Sequence, residues 1–69
     1  MAIKYNKQGL AIVVAAINVK LSLWAWTMYK GDVPQARSEY AWNSRKTART
    51  HAYKFLKATG LKIPVTMSK

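Results

Sequence analysis

The chain has 69 residues, 12 Lys and Arg against two Asp and Glu for a formal net charge of +10, and yet 51% hydrophobic residues, three Trp and no Cys. A core below about 70 to 80 residues rarely stabilises itself without staples. Absent cysteines exclude disulfides and thiolate metal sites, and one His with two carboxylates falls short of a zinc ligand set. The composition therefore points to a partner: a membrane, a nucleic acid or a larger assembly.

From Gly9 to Tyr29 the sequence reads GLAIVVAAINVKLSLWAWTMY with a single charge. As a helix this stretch covers about 31 Å, close to the hydrocarbon thickness of a bilayer. It predicts one transmembrane helix over about 9–29, with Trp24, Trp26 and Tyr29 at one interface and Lys4, Lys7 and Lys30 closing the flanks. Lys20 near the centre costs roughly 2.5 to 3.5 kcal/mol, which nearly cancels the apolar gain of the segment. Such a span is expected to pack on larger membrane-protein subunits, with Lys20 facing a carboxylate, a carbonyl or a headgroup. Ala11, Ala15, Asn18, Ser22 and Ala25 then form a stripe suited to close helix packing. Asn18, Lys20, Ser22, Trp24, Trp26 and Tyr29 are the expected membrane or partner contacts. A competing reading is a strand, because Ile17 to Leu23 alternates strictly. It lacks a second convincing strand to pair with. Trp24-Ala25-Trp26 is a poor cleavage site, so the segment is expected to stay in the mature chain.

Lys30-Gly31-Asp32 is the main organisational break, dividing residues 1–29, flank and span, from residues 30–69, a basic extramembrane helix and tail. Pro34 fits a first helical turn, Asp32 can cap it, and Gly60 followed by Pro64 ends it, which predicts a helix over about 34–59 and a short extended tail. The expected fold class is all-α. On a helical wheel Tyr40, Ala41, Ser44, Thr47, Ala48, His51, Ala52 and Phe55 share a mildly apolar face, with Arg45, Lys46, Arg49, Lys54 and Lys57 mostly opposite. His51 on that face reads as a packed structural residue.

Chemistry has few candidates. Asp32 and Glu39 stand seven apart, no Ser has a base beside an acid, and Gly9, Gly31 and Gly60 are isolated, so no catalytic, cofactor-binding or metal residue and no small-molecule substrate is expected. Lys30, Arg37, Arg45, Lys46 and Arg49 are assigned to lipid headgroups, an anionic lipid such as cardiolipin, or an acidic partner. Their excess beyond the span places the C-terminal half on the matrix or cytoplasmic side. The alternative use of the charge is nucleic-acid binding, because Tyr40, Trp42, His51, Tyr53 and Phe55 interleave with these cations. It ranks below the membrane reading, since such a module has no use for Leu10 to Tyr29 on its surface.

The aromatic end Leu23-Trp24-Ala25-Trp26-Thr27-Met28-Tyr29-Lys30, then Arg37, Glu39-Tyr40-Ala41 and the closing Leu56-Lys57-Ala58-Thr59-Gly60-Leu61, resembles in layout the small single-span subunits of mitochondrial cytochrome c oxidase, the subunit VIc type in particular. Accessory subunits of other respiratory complexes and of mitochondrial ATP synthase share that layout. The resemblance implies a non-catalytic accessory subunit of a respiratory-chain complex in the mitochondrial inner membrane. That family places the extension on the intermembrane side, against the charge count. A small basic nucleic-acid-binding or ribosomal protein is the alternative.

Overall fold

The computed structural model describes residues 3–67. The elements in chain order are β1 (Leu10–Asn18), β2 (Leu23–Lys30), β3 (Val33–Arg37), α1 (Arg45–Thr59) and β4 (Val65–Met67). The strands form one mixed sheet in the order β3-β2-β1-β4, antiparallel except for the parallel β1–β4 pair. The all-α expectation is therefore wrong. Among the described residues no helix is long and apolar enough to cross a membrane. The span expected over 9–29 is a β-hairpin, and a single-pass placement in the inner membrane, with its matrix-side orientation, has no helix to carry it. The layout behind the resemblance to the subunit VIc type is not the one the chain adopts.

The reason lies in the side-chain period. Leu10, Ile12 and Val14 on β1, and Trp24, Trp26 and Met28 on β2, all pack toward α1. The positions between them, Ala11, Val13 and Ala15 opposite Tyr29, Thr27 and Ala25, fall on the other face. Both faces are mostly apolar, so the alternation is hidden in a continuous run that imitates a membrane span. β-Branched and aromatic residues suit this pleated surface.

Two turns fold the run back on itself. Asn18 pairs with Leu23, and in the connection between them the Asn18 Oδ1 accepts from the Leu21 amide at 3.1 Å while Ser22 takes φ 52°. The alternating residues that suggested a strand, Ile17 to Leu23, are mostly this turn. Ile17 itself sits at the register shift between Ala16 and Asn18, where β1 bulges. At the other end Lys30 pairs with Val33 across Gly31-Asp32, and Gly31 takes φ 60°, the glycine-first pattern of a tight hairpin turn. The expected break at Lys30-Gly31-Asp32 is thus a hairpin turn within the sheet.

The helix expected over 34–59 is two elements. Residues 33–37 form the edge strand β3, where Pro34 is tolerated because one side of the strand needs no donor. The helix begins only at Arg45, capped by Ser44 in place of Asp32, and the Ser44 Oγ accepts from the Thr47 amide at 3.5 Å. It ends where the sequence says, at Gly60 with φ 73°. Ala48 and Ala52 face the sheet with no exposed surface, so α1 approaches β1 and β2 closely, and Leu56 and Ile63 complete the core with Ile12, Val14 and Trp26. The connection through α1 carries the chain from the β3 edge to β4 at the opposite edge. Asn6 fastens the start: its Oδ1 accepts from the Gln8 and Leu10 amides at 2.9 Å each, and its Nδ2 donates to the Lys62 carbonyl at 3.0 Å.

Candidate functional site

Next to the row Ala48, Ala52 and Leu56 that turns to the sheet, α1 carries the row Arg45, Arg49, Tyr53 and Lys57 at intervals of four, with Lys46 beside it. The members of this second row and Lys46 are all exposed. Residues four apart are neighbours on a helix surface, so they form one ridge about 18 Å long. No carboxylate occurs between Arg45 and Thr59. Of the 12 Lys and Arg, Lys69 lies outside the described residues and every other one is exposed. The Arg45 guanidinium lies 5.8 Å over the Trp24 ring, which holds the top of the ridge against the sheet.

On the opposite flank of α1, the side of His51, Lys54 and Phe55, lies an aromatic pocket. It arises from a mismatch along the free edge of β2. The Ser38 amide donates to the Trp26 carbonyl at 2.9 Å, and Trp24 and Trp42 exchange amide-to-carbonyl bonds of 2.7 and 2.8 Å. One residue on β2, Ala25, thus faces three on the partner segment, and Glu39-Tyr40-Ala41 must bulge away from the edge. Ser38 fixes the bulge, its Oγ accepting from the Trp26 amide at 3.3 Å and donating to the Tyr40 carbonyl at 2.8 Å. Between the bulge and α1 opens a pocket of about 420 Å³, walled by Trp26, Tyr40, Trp42, His51 and Phe55 and rimmed by Arg37, Glu39 and Lys54. Its size and apolar character are those of small-ligand sites.

The walls are organised as two ring pairs. Trp26 and Phe55 have centroids 4.7 Å apart, Trp42 and His51 4.4 Å apart, both tilted. Trp26 is 95% buried, and its indole Nε1 is buried with no hydrogen-bond partner. Leaving such a donor unpaired costs about 1–3 kcal/mol. A native fold that keeps this donor calls for an explanation.

The residues assigned to membrane or partner contact are scattered by the hairpin. Asn18 and Ser22 shape the β1–β2 turn, and Lys20 stands exposed at its tip between Val19 and Leu21, which are also exposed. Lys20 therefore poses no problem of buried charge. Trp24 and Trp26 pack toward α1 and not outward, while Tyr29 lies on the opposite sheet face against Ala11. The small stripe dissolves: Ala11 and Ala15 are on β1, and Ala25 faces Ala15 from β2. Among the assigned cations, Arg45, Lys46 and Arg49 do come together on α1, Arg37 ends β3 at the pocket rim, and Lys30 is apart at the far end of β2. His51 is exposed, and its ring packs on Trp42. Among the described residues no group of three or more His, Asp or Glu could hold a metal ion. No family model, curated protein or solved structure matches the chain.

Proposed function

We propose that this chain is a non-catalytic nucleic-acid-binding module that lays α1 along a phosphate backbone. The carrying observation is the ridge of Arg45, Lys46, Arg49 and Lys57, free of carboxylates and broken only by the Tyr53 ring. At about 18 Å it matches roughly five phosphate steps of 3.4 Å along one strand. Cations neutralise phosphates and release counterions, and an exposed ring among them offers a face to a base. The +10 charge adds long-range attraction toward any polyanion. What had spoken against this reading was a greasy segment with no role in such a module. The hairpin removes that objection, because Ile12, Val14 and Trp26 are its buried core.

Fluorescence anisotropy with labelled duplex and single-stranded oligonucleotides, titrated from 50 to 200 mM salt, tests the proposal. Binding should weaken as a power law in salt concentration. Failure to bind either strand form at 50 mM overturns the proposal. So does equally tight binding of polyglutamate of matched charge, which assigns the ridge to acidic polypeptides.

A further inference from the structure

Resting on that reading, we infer that the β1–β2 turn is an apolar wedge that enters duplex DNA between two base pairs and bends it. Ile17, Val19 and Leu21 are 63%, 82% and 65% exposed, and no other stretch of five residues among those described exposes three large hydrophobic side chains. Single exposed apolar residues are ordinary on a protein surface, whereas a cluster of them marks a contact. The turn is preformed: the Asn18 Oδ1 accepts from the Leu21 amide at 3.1 Å, and the Val19 carbonyl accepts from the Ser22 amide at 3.2 Å. Little conformational freedom is therefore left to lose on insertion.

The neighbours of the turn say what it meets. Val19 and Ser22 share a hollow of about 240 Å³ with Trp24, and the Arg45 guanidinium lies 5.8 Å over that same Trp24 ring. The wedge thus adjoins the start of α1, where Arg45 and Lys46 are exposed, and a DNA backbone gripped by these two cations comes against it. Lys20 stands between Val19 and Leu21, and residues 17–22 contain no carboxylate, so the charge around the apolar side chains is positive and suits the phosphates that line a groove. Aliphatic side chains offer nothing to the polar edges of base pairs. Pushed between two pairs from the minor groove, they cover the ring faces that unstacking exposes. Kinks made this way measure about 20–90° and bring more of the backbone onto the protein. A single strand has no paired step to part, so the wedge acts on duplexes alone while the ridge binds either form.

The test uses the full chain and duplexes of about 20 base pairs with a dye at each end, reading affinity by anisotropy and bending by energy transfer at fixed low salt. Bound wild-type protein should raise the energy transfer. It should also prefer, severalfold, a duplex with a central mismatch, where unstacking is cheapest. Val19→Ser combined with Leu21→Ser removes the wedge at two exposed positions, keeps Lys20 and leaves the core untouched. The double variant should lose both the bend and the mismatch preference and keep the wild-type affinity for a single strand and its salt slope, with circular dichroism confirming the fold. Wild-type binding that leaves the duplex straight, or salt-sensitive binding confined to single strands, overturns the wedge and leaves the ridge reading standing. Bending that survives in the double variant also overturns it, assigning the bend to one-sided neutralisation of phosphates. No salt-sensitive binding to either form removes the nucleic-acid reading and the wedge together.

Discussion

Replacing Lys46, Arg49 and Lys57 by Gln removes three of the four cations on the α1 ridge while its buried side, Ala48, Ala52 and Leu56, is untouched. Arg45 is kept because its guanidinium packs over Trp24, and losing that contact would mix folding with binding. Lys46 sits in the first turn, where a cation opposes the helix dipole, and Lys57 in the last, where it is favourable, so the two effects on stability have opposite signs. The variant should therefore melt close to the wild type. If four cations each neutralise one phosphate of a single strand, the slope of log affinity against log salt is about −2.8, and a single remaining cation gives about −0.7. Raising salt from 50 to 200 mM should then weaken the ridge contribution about 50-fold in the wild type and only about threefold in the variant. The assay is anisotropy at four or five salt concentrations, with the melting temperature as a control. A variant that folds and keeps the wild-type slope would show that phosphates are met elsewhere, and the ridge argument would fail.

Gly60→Ala forces a Cβ onto a residue at φ 73° and should cost about 1 kcal/mol. For a domain of this size that is a fall of about 4–8 °C in melting temperature, read by circular dichroism at 222 nm. Ile12→Ala empties one of the two largest fully buried side chains and should cost about 2–5 kcal/mol, enough to leave a core this small largely unfolded at 37 °C in thermal melts. Asn6→Ala leaves the Gln8 and Leu10 amides without their shared acceptor and frees the Lys62 carbonyl, for about 1–2 kcal/mol in urea unfolding. An unchanged midpoint would mean that water replaces all three bonds.

The readable parts of this fold were those encoded within one turn of chain. Gly60 stops α1 as the Thr59-Gly60-Leu61 pattern with Pro64 beyond it requires, and Arg45, Lys46 and Arg49 share a side because the helix around them is real. The start of that helix was misplaced because Asp32 and Pro34 satisfy the local rules for a helix entry as well as Ser44 does. What decides between them is the pairing of β3 with β2, a contact between segments that no local signal announces. The larger misreading, hairpin for span, has the same origin. Apolar side chains on both faces of β1 and β2 erase the period of two, and Lys20, which looked like a charge in the bilayer centre, marks the turn. Charge in the middle of an apolar run, next to Asn18 and Ser22, was the available sign of a reversal. Tyr40, Trp42, His51 and Phe55 stand out in the sequence as aromatics among cations, but not the pocket they wall with Trp26, since it depends on Ser38 and Trp42 pairing with β2 at two points and leaving Glu39 to Ala41 outside the ladder.

A net charge of +10 on 65 described residues and four more sets like charges against one another on a small surface, and this has a consequence separable from binding. Self-repulsion opposes the compact state, because unfolding lets the cations separate. Salt shortens the reach of that repulsion, from about 30 Å at 0.01 M to about 10 Å at 0.1 M, and the larger value exceeds the 26 Å second principal extent of the fold. The free protein should therefore gain stability between 10 and 100 mM salt, the same change that weakens its hold on a polyanion. A bound polyanion does the opposite: at a concentration 100 times its Kd it should add about 2.7 kcal/mol, and this gain should shrink as salt rises. Thermal melts with and without a single-stranded oligonucleotide at 10, 50, 100 and 200 mM salt give two curves that converge. A free protein that melts lower at 100 mM than at 10 mM would mean that its charges are net attractive in the fold, and the cations would have to be assigned to holding the chain together and not to a partner.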